Sequence, residues 1–76
     1  MPAKQPSWED RAKRFLKAEL ARADVSYREL AKRLEKHGMK ETEASIANKI
    51  SRGGFTAVFF VQCLQAIGTK ELRFAE

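Results

Sequence analysis

The sequence predicts an all-α domain of four to five helices, and three observations predict it. Apolar residues recur at three- and four-residue steps, the period of a helix with one buried face. Neither of the two prolines lies beyond Pro6, so no ring interrupts the chain from residue 7 onward. Finally, Ser7, Ser26, Thr42 and Thr56 each precede an apolar-periodic run, and Gly38, Gly53 and Gly68 follow three of those runs. Hydroxyls before a run and glycines after it are start and stop signals for helices.

The first helix starts after Ser7. Ser7-Trp8-Glu9-Asp10 resembles a capping box, and Trp8, Ala12, Phe15, Leu16, Leu20 and Ala23 form one apolar stripe ending near Ala23. Glu9 with Lys13 and Asp10 with Arg14 are acid-first pairs four apart, which support it. The second start is stronger: Ser26-Tyr27-Arg28-Glu29 is a full capping box, and Val25 before it can staple onto Leu30. Tyr27, Leu30, Ala31 and Leu34 are its buried stripe, and Gly38 suits the left-handed stop. Residues 39–42 read as a turn with Met39 plugging the core.

Thr42 caps a third helix running to about Ser51, with Ile46, Ala47 and Ile50 inward and Gly53 as its stop. Thr56 caps the fourth, with Phe55 stapled onto Phe60. Of the eleven residues Ala57 to Ile67 only Gln62 and Gln65 are polar. A helix apolar nearly all round needs cover on most sides, and a chain of 76 residues has little to give. Part of that surface is therefore expected in a homodimer interface, drawn from Phe59, Phe60 and Cys63 with Leu72 and Phe74 of the tail. The tail Lys70-Glu71-Leu72-Arg73-Phe74 alternates polar and apolar, as a short C-terminal strand or docked extension would. Residues 1–6 read as a disordered arm and 7–76 as one domain.

Composition narrows the function. A lone cysteine, Cys63, cannot form an internal disulfide, which fits a reducing compartment. No apolar run reaches the roughly 18 residues of a membrane span, and no apolar core follows Lys4 as in a signal peptide, so the expectation is cytoplasmic with no membrane partner. The net charge is +5, and residues 1–40 hold eleven of the fifteen bases against six acids, which favours a polyanionic partner.

Catalysis has little to work with. His37, the only histidine, stands beside Gly38 at a predicted helix end, where the helix dipole favours it. Cys63 sits in the most apolar helix and reads as core. No cysteine or histidine set has metal-ligand spacing, and Gly53-Gly54 lacks the phosphate-loop pattern. No enzyme activity and no cofactor are expected.

The informative unit runs from Ser26 to Gly53. With Ile46 and Ile50 inward, a turn of about 100° per residue sends Ala44, Ser45, Asn48 and Arg52 outward, with Lys49 on the flank. A slim start, a hydroxyl, an amide and two cations are groups that read base edges and bind phosphates in a major groove. Asn48 suits adenine, and Lys49 and Arg52 suit guanine or phosphate. Arg28, Lys32, Arg33 and Lys36 on helix two, with Lys40 after it, are candidates for the backbone alongside. Glu41 and Glu43 weigh the other way, since acids repel phosphate.

Ser26-Tyr27-Arg28-Glu29-Leu30-Ala31-x-x-Leu34, followed by Ile46-Ala47-Asn48-Lys49-Ile50-Ser51-Arg52-Gly53, resembles the lambda-repressor and Cro type of helix-turn-helix. Together with Trp8-Glu9-Asp10-Arg11-Ala12-Lys13 and Phe59-Phe60-x-Gln62-Cys63-Leu64, the chain more closely resembles a bacterial family of small domains without an assigned function, a relative of that fold. The connection from Ala31 to Ile46 is longer than in the usual motif. The resemblance implies base contacts from Ala44, Ser45 and Asn48 and a phosphate contact from Tyr27 or Arg28. It also implies a homodimer on paired half-sites of double-stranded DNA, hence a transcriptional regulator. The competing expectation is a protein-interaction module on the same fold, favoured by the apolar fourth helix.

Overall fold

The computed structural model describes residues 7–72, which form four helices: α1 (Trp8–Ala23), α2 (Tyr27–Lys36), α3 (Glu43–Arg52) and α4 (Ala57–Ile67). The caps fall on the four hydroxyl residues. Ser7, Ser26 and Thr42 each accept from the backbone N–H three residues on, at 3.1, 3.1 and 3.0 Å, and Thr56 does the same for Phe59 at 3.0 Å. Each bond satisfies a donor that the first turn would otherwise leave open.

Three helices end alike. Beyond α1, α2 and α4, the N–H of Val25, Met39 and Thr69 reaches back to the carbonyl of Leu20, Leu34 and Leu64. This is the Schellman closure, and it needs a left-handed residue just before the donor. Gly38 (φ +85°) and Gly68 (φ +80°) supply it for α2 and α4, but α1 uses Asp24 at φ +57°. The end of α3 is different: Gly53 is left-handed and also buried against the first turn of α1.

Each of α1 and α2 packs on both α3 and α4. The core between them holds Leu16, Leu20, Val25, Leu30, Leu34, Ile46, Ile50, Phe59, Cys63, Leu64 and Ile67. Met39 and Phe55 pack on its margin, as plug and staple. Phe55 stacks on Phe60 with centroids 5.9 Å apart, and Phe60 meets Phe15 of α1 edge-on at the same separation. Among the described residues no polar or charged residue belongs to the buried core, which is filled by apolar contact. Arg33 bridges at the edge: it pairs with Glu29 at 3.1 Å and donates to the Ala66 carbonyl of α4 at 3.4 Å.

Two expectations are corrected. The fold has four helices and, over residues 70–72, no strand; a lone alternating segment finds no strand to pair with among the described residues. Phe59 and Cys63 are 4 % and 0 % exposed inside the monomer's own core, and Phe60 is half-buried between Phe15 and Phe55. Phe59 and Cys63 thus have almost no surface left for a partner, and the large apolar side chains that α4 leaves outside are Val58 (66 % exposed) and Val61 (57 %). Leu72 is exposed, while Phe74 and residues 1–6, read as an arm, lie outside the described residues.

Candidate nucleic-acid interface

The orientation of α3 follows from two side chains. Ile46 and Ile50 are each 0 % exposed, one helical turn apart, so the opposite side of the helix must face outward. Ala44, Asn48, Ser51 and Arg52 occupy that side and are all exposed. The surface is small residues, one amide and one guanidinium: a helix slim enough for a groove, with a bidentate donor–acceptor at its centre.

Ser45 and Lys49 do not join it. Glu41, in the loop before α3, turns its carboxylate in until only 9 % of that side chain is exposed. It accepts from the Ser45 hydroxyl at 2.7 Å and from Lys49 Nζ at 2.5 Å. Lys49 Nζ also lies 5.0 Å from the centre of the Phe59 ring, over a face that attracts cations. Burial pushes the Glu41 carboxyl upward, but the hydrogen bonds from Lys49 and Ser45, with the Lys49 charge, outweigh it and hold the pKa below the ordinary 4.5. Both sequence candidates are thereby occupied with a carboxylate, and they brace the loop against α3. Glu41 was legible as a partner only through spacing: it stands in the loop four residues before Ser45 and eight before Lys49, close enough for its side chain to reach the first turns of α3. Ser51, three residues after Asn48, belongs to the outward face and was reachable by the same arithmetic.

The second part of the surface comes from α2. Arg28, Lys32 and Lys36 are exposed and spaced by four, a cationic ridge opposite buried Leu30 and Leu34. A cleft of about 330 Å³ separates this ridge from the start of α3, lined by Ala31, Lys32, Glu35, Lys40, Glu41 and Thr42. Lys32 and Lys40 both line this cleft beside the start of α3. Tyr27 is half-buried against the core, and burial raises its hydroxyl pKa; Arg28 is the freer of the two residues at the start of α2.

Other chemistry-bearing groups are dispersed. His37 is exposed at the end of α2. The Cys63 thiol is buried; loss of water and the nearby Glu41 carboxylate, partly opposed by Lys49, push its pKa up to about 12. A thiol in that state is a packing group, not a nucleophile. Among the described residues no three His, Cys, Asp or Glu side chains gather as metal ligands, and no helix is long and apolar enough to cross a membrane.

Fold and surface together define a small four-helix domain that presents a polar helix face beside a cationic ridge. The chain belongs to the family described as "Domain of unknown function (DUF6471)", whose profile matches residues 8–72. No curated protein and no solved structure matches it.

Proposed function

We propose that the domain binds double-stranded DNA as a helix-turn-helix of the lambda-repressor and Cro type, with α3 in the major groove, and that it acts as a dimeric transcriptional regulator. One observation carries the reading. Asn48 stands exposed between Ala44, Ser51 and Arg52 on the side of α3 directly opposite the fully buried Ile46 and Ile50. In this arrangement Asn48 reads a base edge, and Ala44 and Ser51 keep the approach clear. Arg28, Lys32, Lys40 and Arg52 hold phosphates on either side, which sets register but carries no sequence information. Lys49, held by Glu41, lends its charge to the loop and not to a base.

A second copy is proposed to pack on α4 through Val58 and Val61. That helix has no charged residue, whereas the chain as a whole carries +5, so copies approach there with the least repulsion. The same exposed valines favour the second reading, a protein-interaction module without DNA.

A salt titration separates the two. Binding to random duplex DNA, followed by anisotropy, should fall steeply as salt rises, because each neutralised phosphate releases counterions. No binding even at low salt would leave the interaction module.

A further inference from the structure

Trp8 is the one described aromatic residue that the fold does not use. It is 77 % exposed, while Phe15, Tyr27, Phe55, Phe59 and Phe60 are all buried or half-buried. Burial of an indole is strongly favourable, so a tryptophan left in water is a group awaiting contact. The ring does not stand alone: the Arg11 guanidinium lies over it, 4.8 Å from the ring centre. A cation held on an aromatic face keeps its N–H groups free at the edge, aimed outward.

The position of this pair is set by Gly53. A Cβ built there would fall 3.2 Å from Glu9 Cα, and Trp8 is the residue immediately before Glu9. The Trp8 Cα is thus within about 7 Å of that Cβ position, just beyond the C-terminal end of α3. Arg52, the last residue of α3, is exposed at that same end, and Arg14 is exposed one turn along from Arg11. Asp10 pairs with Lys13 at 3.5 Å, and Glu9 lies about 160° round the helix from Arg11.

We infer that Trp8 and Arg11, with Arg52, form a second nucleic-acid contact, on the phosphate backbone beyond the C-terminal end of α3. The inference rests on the DNA reading above and extends its footprint: Lys32 and Lys40 flank one end of α3, and this patch the other. Arg11 and Arg52 take phosphate oxygens, and the indole covers the adjoining sugar. The charge of the patch selects this partner over a protein surface, since one guanidinium covers the indole and a second, Arg52, is exposed at the adjoining end of α3.

Trp8, the only tryptophan, reports on its own contact. Its emission should be followed while unlabelled random-sequence duplex is added to the full chain, with binding measured in parallel by anisotropy of a labelled duplex. The expected result is quenching that saturates together with binding, a roughly fivefold loss of affinity in Trp8→Leu, and a salt slope reduced by about one in Arg11→Ala. Both variants remove exposed side chains, and a thermal melt like that of the parent checks that they fold. Duplex binding with unchanged Trp8 emission and an unaltered Arg11→Ala slope overturns this contact and leaves the α3 reading standing. Absence of duplex binding at low salt overturns both.

Discussion

Gly53 and Glu9 are in backbone contact: a Cβ at Gly53 would sit 2.1 Å from the Glu9 carbonyl oxygen. That approach seats the end of α3 on the first turn of α1, and it fixes where Arg52 and Trp8 stand relative to one another. Only glycine meets both demands, the left-handed φ of +72° and the missing side chain.

Gly53→Ala should therefore be among the most damaging substitutions in the chain. Left-handed strain and the overlap with rigid backbone add up to roughly 2–5 kcal/mol, a large share of what so small a domain has. Gly68 makes the comparison: it is also left-handed, but a Cβ there meets nothing within 4 Å, so Gly68→Ala should cost only about 1 kcal/mol. Urea denaturation of the two variants checks the difference; equal losses would mean that the Glu9 contact is immaterial.

The boundaries of the helices were legible because they depend on short-range chemistry. Ser7, Ser26, Thr42 and Thr56 all cap, and Gly38, Gly53 and Gly68 all take positive φ. The buried stripe of α3 was legible for a similar reason, since two isoleucines four apart leave little choice of face. What spacing could not give was competition between neighbours. Ser45 and Lys49 lie near the outward side of α3, yet Glu41 captures both. In α4 nearly every residue is apolar, so periodicity could not say which would turn inward; Phe59 and Cys63 did, and Val58 and Val61 did not. Asp24 carried no signal of its left-handed backbone, because glycine is the usual residue there.

Asp24 marks a place where the chain is not at its optimum. It is the one described non-glycine residue with positive φ, and its carboxylate faces the negative end of the α1 dipole. Asp24→Asn removes the charge and suits the left-handed region, and should stabilise by about 0.5 kcal/mol. A thermal melt that moves down instead would mean that the carboxylate holds a contact worth more than the strain.

Glu41 makes stability depend on pH. Its folded pKa lies below the ordinary 4.5, so its bonds to Ser45 and Lys49 stabilise the fold above that value. The contribution disappears as pH falls through the lower, folded value. Glu41→Gln should thus be less stable than the parent at neutral pH, and the gap should close in acid. Denaturant midpoints at a series of pH values test this; a gap independent of pH would contradict the ionic role. The same variant takes a negative charge from the cleft beside Lys32 and Lys40, so duplex binding at low salt should strengthen.

Cys63 should be silent in the folded protein. With no exposed surface and a pKa near 12, its sulfur should react with a disulfide reagent at mildly alkaline pH only when the chain unfolds. The labelling rate should rise by orders of magnitude in denaturant. Rapid labelling without denaturant would show that α4 detaches readily from the core.

The central claim concerns which side of α3 meets a duplex, and backbone amide chemical shifts measured during a titration with duplex DNA test it most directly. Perturbations should concentrate at residues 42–53, with further changes at Arg28 and Lys32, and little at Val58 and Val61 beyond any dimer signal already present. Shifts confined to α4, or none at low salt, would contradict it.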